Sequence, residues 1–298
     1  MALIPASDYN EIQSKIESVM GPGTSQRGYG QTLFSQAITP GTIISAMQYD
    51  SLRYDIVNIK SHQDGTNPFI RDIAQGDVIG IGAGDPKQQY GLLADICIQN
   101  KFNIATGQYA INNIDTKTHT TSWNTQLTAT LTATFATAND ARYFFNSGGK
   151  IRFTSSRSGG TASPQNNSWT SLLTAVGTQS FGADTDTTVK YYGLTDQYQQ
   201  LYIKTASSSY SSNYFSIDVK SDVVDNSAGT ARIITFRVKW GDPYVDPDVP
   251  PVSFGTVDIV DGTLTLVAEE LKASGTLVPS GTFTVTSPTY SLSTITGS

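Results

Sequence analysis

Cysteine is almost missing from this chain, since Cys97 is the single one among 298 residues. One cysteine cannot form an intrachain disulfide, so a fold held together by disulfides is excluded. Cys97 lies in the apolar run 92–98, which predicts a thiol buried in the core. The chain is long enough to bury a substantial core without such cross-links.

Charge is also scarce: 15% of the residues are charged, and the formal net charge is −6. Nucleic-acid binding needs clustered lysine and arginine side chains that neutralise phosphates, and the sequence has no such cluster. No stretch approaches the ~18 apolar residues of a membrane span, and residues 1–5 lack the features of a secretory signal. We therefore expect neither nucleic-acid binding nor membrane insertion.

Residues for catalysis or metal binding are few. Histidine occurs only at His62 and His119, neither with a neighbour at ligand spacing, so His62 is expected to cap a helix or lie on the surface. The glycines of residues 76–86 lack the Gly-Lys-Ser or Gly-Lys-Thr of a phosphate loop, and the usual hydrolase and metalloprotease motifs are missing. Carboxylate pairs occur at 184/186 and 269/270, but spacing alone does not make them converge. We expect no enzyme activity, no catalytic residue, no cofactor and no metal.

Helical spacing of apolar residues is what residues 1–115 do contain. It predicts helices over 6–20, 42–61 and 86–99; the first ends at Gly21-Pro22-Gly23, and Asp85 and Pro86 open the third. The apolar stripe of the first helix either packs on its own domain or docks another subunit. For the docking alternative, the candidate interface residues are Ile12, Ile16, Val19 and Ile56.

From residue 116 the pattern changes to the alternation of β-strands. Leucine, alanine and phenylalanine alternate with threonine over 127–135, which predicts a half-buried strand. Two aromatic-rich runs around the Asn-Ser-Gly-Gly sequence at 146–149 predict a hairpin with strands at 143–145 and 151–153. Further strand-like segments up to residue 240 favour an antiparallel β-sandwich, which we expect to be jelly-roll-like. The fold class is therefore mainly β with a helix-containing N-terminal region.

Residues 241–251 predict a linker, because four of these eleven residues are proline and the aspartates keep the segment solvated. The aspartates at 242, 246 and 248 lack the ligand pattern of an EF-hand, so a spacer is favoured over a calcium loop. The predicted organisation is an attachment or oligomerisation region (1–115), a sandwich domain (116–240), the linker (241–251) and a small C-terminal β-domain (252–298).

Tyrosine is plentiful, with fifteen in the chain, and several lie between residues 191 and 214. Tyr210 and Tyr214 are interleaved with serine and asparagine, a pattern found in loops that face a carbohydrate or a protein partner. The alternative is an ordinary edge loop with sheet-packing tyrosines. Tyr210 and Tyr214 are the candidate contacts for a glycan or a partner.

Several of these segments resemble virion structural proteins of tailed bacteriophages, especially those that infect cyanobacteria or marine bacteria. The longest is Asn-Asp-Ala-Arg-Tyr-Phe-Phe-Asn-Ser-Gly-Gly-Lys-Ile-Arg-Phe at 139–153. The likeness covers the N-terminal region and the sandwich but not the residues beyond the linker. The other matching segments are residues 7–12, 28–31, 62–65, 157–160 and 165–169.

The resemblance implies a neck, tail or fibre protein without catalytic residues. Such a protein would form a homo-oligomer, for example a trimer or a higher assembly, and would bind other virion proteins. Its location would be the virion, after assembly in the cytoplasm of the host bacterium. The alternative function is a receptor-binding module for a host-surface glycan, and a tail-associated hydrolase ranks third because no catalytic pattern is present.

Overall fold

The computed structural model describes residues 6–74, 85–245, 259–277 and 281–297. The chain folds into two compact units, each built from three separate stretches of sequence. Unit 1 comprises Met1–Ala110, Thr137–Gly149 and Lys272–Ser287, and unit 2 comprises Ile111–Ala136, Lys150–Leu271 and Pro288–Ser298. The chain therefore passes between the units five times.

Five α-helices lie in the described ranges: α1 (Ala6–Met20), α2 (Ala46–Asp64), α3 (Pro86–Gln99), α4 (Ala138–Asn146) and α5 (Pro164–Val176). The same ranges contain eleven strands: β1 (Tyr109–His119), β2 (Gln126–Thr134), β3 (Lys150–Ser158), β4 (Thr178–Phe181), β5 (Gln199–Thr205), β6 (Tyr214–Ser221), β7 (Ile233–Gly241), β8 (Thr263–Thr276), β9 (Thr282–Thr284), β10 (Thr289–Leu292) and β11 (Thr296–Gly297). The predicted mainly β class with a helical N-terminal region is confirmed.

Unit 2 is an antiparallel β-sandwich. One sheet has the strand order β1-β8-β3-β4, and the other has the order β10-β2-β7-β6-β5 with β11 also on β2. The sheets face each other through β3 and β7: the ring centroids of Phe153 and Phe236 are 5.1 Å apart. The indole Nε1 of Trp240 donates a hydrogen bond to Ser155 Oγ at 2.9 Å across the same space. The core of unit 2 thus lies between its two sheets.

The alternating pattern predicted over 127–135 forms β2, whose odd-numbered residues are buried and whose threonines are half-buried. A side-chain period of two places one set of side chains on the core face, so the apolar set must face the opposite sheet. β2 pairs with β7 over its whole length, from Gln126 opposite Gly241 to Thr134 opposite Ile233. This part of the prediction is confirmed in detail.

The C-terminal residues do not form the separate β-domain that we predicted beyond the linker. β8 lies inside a sheet of unit 2 and pairs with β3 from Thr263 to Leu271. β10 and β11 both pair with β2 in the other sheet. A segment of under fifty residues has little core of its own, and these strands obtain one by completing the sandwich. Residues 246–258, which include most of the predicted linker, lie outside the described residues.

The predicted hairpin over 141–153 is half wrong, because its first strand is the helix α4. Thr137 accepts a hydrogen bond from the backbone N–H of Asp140, and the Asp140 carboxylate accepts one from the backbone N–H of Thr137. This capping box starts a helix despite the aromatic residues that favour strands. Gly148 then turns the chain with φ +85, and a Cβ there would lie 2.7 Å from the Ile104 side chain. The second predicted strand is confirmed as part of β3.

Unit 1 contains the three N-terminal helices at close to the predicted positions. α1 and α3 lie side by side and parallel, since Asp8 pairs with Lys87 at 2.5 Å and Lys15 with Asp95 at 3.0 Å. α2 begins at Ala46, four residues later than predicted, because Ser45 and Gln48 form a capping box. The tyrosine rings of the helices interlock edge to face: Tyr9 with Tyr49 at 5.4 Å and Tyr49 with Tyr90 at 5.7 Å.

Asp55 of α2 holds the preceding loop in place. Its buried carboxylate accepts hydrogen bonds from the backbone N–H groups of Phe34 at 2.9 Å and Ser35 at 2.8 Å. We expect Asp55→Ala to lower the free energy of unfolding of unit 1 by about 2 kcal/mol, because two donors lose their partner. Chemical denaturation measures this change. Asp50→Ala removes a more exposed carboxylate of the same helix and should cost under about 0.5 kcal/mol; equal losses would contradict the role of Asp55.

Candidate functional site

The four residues predicted as a subunit interface are core residues of unit 1. Ile16, Val19 and Ile56 have no exposed area, and Ile12 is 3% exposed. All four side chains are therefore covered by packing within the unit. The interface assignment is therefore corrected to core packing, which was the other alternative for the helix stripe.

The two predicted contact tyrosines are half-buried and have partners within unit 2. The Tyr210 ring lies 4.5 Å from the ring of Tyr244, between centroids. The Tyr214 hydroxyl donates a hydrogen bond to Gln126 Oε1 at 2.9 Å, and its ring lies so close to Gly241 that a Cβ there would be 2.3 Å away. Glycan or partner contact by these residues stays a prediction.

His62 lies in the core of unit 1 and not on the surface as expected. Its ring stacks on Phe283 with centroids 4.0 Å apart, and Nε2 lies 3.0 Å from the carbonyl oxygen of Ser147. Burial lowers the pKa of His62 to about 4, against a smaller opposing effect of the carbonyl. His62 is therefore neutral at pH 7, and Nε2 donates to the carbonyl. It acts as a packed, hydrogen-bonded core residue.

The predicted buried thiol is confirmed: Cys97 has no exposed area. Burial raises the pKa of Cys97 to about 12, so the nucleophilic thiolate is not populated at neutral pH. In the described ranges, no three histidine, cysteine, aspartate or glutamate side chains are grouped so as to hold a metal ion. The aspartates at 246 and 248 lie outside those ranges, as do the glycines of residues 76–84.

The two predicted carboxylate pairs differ in their surroundings. Glu269 pairs with Arg152 at 3.7 Å, whereas the buried Glu270 accepts hydrogen bonds from Asn112 and Tyr290, each at 3.0 Å. The two side chains of this pair thus take part in different interactions of the sheet. The other pair, Asp184 and Asp186, lines a groove of unit 2.

This groove has a volume of about 650 Å³ and lies between β4 and β5, the strands that end their respective sheets. Residues 178–180 of β4 and 200–203 of β5 line it, and in each case the lining residues are consecutive. Because alternate residues of a strand face opposite sides of the sheet, consecutive residues reach the groove only along the strand edges. We call this site the β4–β5 groove; Lys150 and residues 184–188 complete its lining.

The walls of the β4–β5 groove are polar. Thr178 shares a hydrogen bond with Thr154 at 2.8 Å, and Asp184 pairs with Lys190 at 3.0 Å. Burial raises the pKa of Tyr202, so its hydroxyl keeps its proton at neutral pH. The arrangement can bind a ligand through hydroxyl, amide and carboxylate groups.

A second surface with chemical character lies on unit 1. Leu92 and Ile96, one turn apart on α3, are 58% and 37% exposed. Phe69 is 87% exposed, and its carbonyl oxygen accepts a hydrogen bond from the side chain of Gln89 on the same helix at 2.8 Å. We call Phe69, Leu92 and Ile96 the α3 apolar surface. Large apolar side chains grouped on a surface are typical of protein–protein contacts.

Neither the β4–β5 groove nor the α3 apolar surface was predicted from the sequence. The apolar run 92–98 indicated burial, but the packing of α3 on α1 leaves Leu92 and Ile96 outside. The groove depends on which strands end the two sheets, and strand order is not visible in a local pattern.

A comparison with protein-family models, with curated proteins and with solved structures finds no match for this chain. Among the described helices, none is long and apolar enough to cross a membrane.

Proposed function

We propose that this protein is a structural component of a tailed-phage virion, of neck, tail or fibre type. It assembles as a homo-oligomer and attaches to other virion proteins. The resemblance of residues 139–153 and of the segments around them to such proteins supports the virion assignment. The observation that carries the assembly role is the α3 apolar surface of unit 1.

The α3 apolar surface favours self-association for an energetic reason. Full burial of a leucine, isoleucine or phenylalanine side chain stabilises an assembly by about 1.5–3 kcal/mol. Phe69 and Leu92 are more than half exposed in the single chain, so most of this free energy is still unused. A chain with few charges also has little electrostatic repulsion to overcome when its copies meet.

The proposal predicts that the full-length protein is an oligomer and that Leu92→Asp, combined with Phe69→Asp, dissociates it. A carboxylate in a closed apolar contact loses its hydration without gaining a partner, so we expect the dissociation constant to rise by at least ~100-fold. Light scattering coupled to size-exclusion chromatography measures the molar mass of both proteins. Immunogold labelling of purified virions tests whether the protein is part of the particle.

Val224→Asp is the matched control, because Val224 is 73% exposed but belongs to unit 2. It introduces an aspartate at an exposed apolar position outside the α3 apolar surface and should leave the oligomer intact. A wild-type protein that is monomeric at all concentrations contradicts the assembly role. Purified virions without the protein contradict the virion assignment, whatever the oligomeric state.

A further inference from the structure

We propose that the β4–β5 groove binds an uncharged saccharide. This inference goes beyond the virion role proposed above and does not depend on it. It also places the ligand away from Tyr210 and Tyr214, since neither of them lines the groove. The volume of about 650 Å³ is in the range of small-molecule sites in proteins.

The groove supplies free hydrogen-bonding groups. Within the described part of the chain, no hydrogen bond engages the side chains of Ser180, Gln200 and Tyr202. Hydroxyl and amide groups act both as donors and as acceptors. A saccharide presents hydroxyl groups that do the same, so the two sets can pair in either direction. The ring of Tyr202 adds an apolar face for the C–H groups of a sugar.

The charged groups of the groove are few. The lining contains the carboxylates of Asp184 and Asp186 but only one ammonium group, that of Lys150. Lys190 outside the lining pairs with Asp184, which leaves Asp186 without an ion-pair partner in the described residues. An anionic sugar, a phosphate or a sulfate would meet this carboxylate at short range. With this carboxylate and the ammonium group of Lys150 in the lining, the groove has no excess charge that would favour an ionic ligand over an uncharged one.

The edges of β4 and β5 do not favour an added β-strand as the occupant. An extended peptide could pair with the open edge of β4 or β5, since both strands end their sheets. However, β4 has only four residues, and β5 carries a bulge at Leu201, between Gln200 opposite Asp218 and Tyr202 opposite Ile217. Short strands and bulges are the features by which sheets prevent edge pairing. Gln200 and Tyr202, on either side of this bulge, both line the groove.

The experiment uses the full-length protein on an array of neutral and acidic oligosaccharides, followed by calorimetric titration with the neutral oligosaccharides that bind. We expect binding to neutral oligosaccharides built from glucose, galactose, mannose or N-acetylglucosamine. Gln200→Ala and Asp186→Ala should each weaken it by about 10-fold, the effect of losing one or two hydrogen bonds. Both side chains are exposed, so the melting temperature should stay unchanged.

Gln197→Ala is the control, because Gln197 is exposed near the start of β5 but does not line the groove. It should bind like the wild type, and so should Tyr210→Ala. Three results would overturn the proposal: no binding to any neutral oligosaccharide, binding restricted to acidic ones, or binding that Gln200→Ala and Asp186→Ala leave unchanged. Protection of the β4 and β5 edges from hydrogen exchange by an extended peptide, with no saccharide bound, would assign the groove to a strand. None of these results bears on the presence of the protein in the virion.

Discussion

Trp240→Ala is expected to lower the free energy of unfolding of unit 2 by about 4 kcal/mol, the largest loss that we predict. Trp240 has no exposed area, and its ring lies 5.9 Å from the ring of Phe215, between centroids. Alanine would leave a large cavity between the two sheets and would remove the hydrogen bond from the indole to Ser155. Chemical denaturation followed by circular dichroism measures the change.

Trp240→Phe separates the two contributions. It keeps most of the apolar volume but loses the hydrogen bond, so we expect a loss of about 2 kcal/mol. Val224→Ala, at a position that is 73% exposed in the same unit, should change the free energy by under about 0.5 kcal/mol. If Trp240→Ala cost no more than this control, the two sheets could not be packed around Trp240 as described.

Acidification is expected to destabilise unit 1 through His62. Its pKa falls from 6.5 to about 4 on folding, so the unfolded chain takes up a proton at a higher pH than the folded chain. The stability contribution linked to neutral His62 is therefore fully present above about pH 6.5. It decreases as the pH falls and is lost below about pH 4. A shift of this size corresponds to about 3 kcal/mol. Hydrogen exchange in α2 between pH 7 and pH 4 would measure the local free energy of opening.

His62→Gln is the variant that tests this assignment. Glutamine can still donate a hydrogen bond towards the carbonyl oxygen of Ser147, but it does not titrate. The variant should be less stable than the wild type at pH 7, because the stacking on Phe283 is lost. Its stability should also depend less on pH between 6.5 and 4. Parallel pH profiles for wild type and variant would show that other groups cause the acid sensitivity.

The α4 segment shows why a local pattern can mislead. Three aromatic residues in a row, followed by Asn-Ser-Gly-Gly, are common in hairpins, and this composition predicted a strand. The Thr137 and Asp140 capping box lies just upstream and indicates a helix start. In the helix, the buried Ala141, Phe144 and Phe145 recur at three and four positions, which buries one face. Both signals were present in the sequence, and the cap determined the structure.

The buried histidine and the groove could not be predicted in the same way. The ring of His62 lies against Ser147 and Phe283, which are at least 85 residues further along the chain. Nothing near His62 in the sequence therefore indicates that it is buried. The groove joins β4 and β5, which are separated by a loop and belong to different sheets. Among its residues, only the Asp184 and Asp186 pair and Tyr202 belonged to a pattern that suggested a site. Contacts distant along the chain depend on topology, which local spacing does not contain.

Properties that depend on neighbouring residues were predictable from the sequence. The periods of 3.6 and 2 placed the N-terminal helices and β2, composition indicated the mainly β class, and the local apolar run indicated the buried cysteine. Which strands are neighbours became visible only in the three-dimensional fold. It placed β8 inside a sheet of the sandwich, put the interface candidates of α1 and α2 in a core, and left β4 and β5 open at the sheet ends. The physical reason is that strand pairing and core packing are satisfied by segments far apart along the chain.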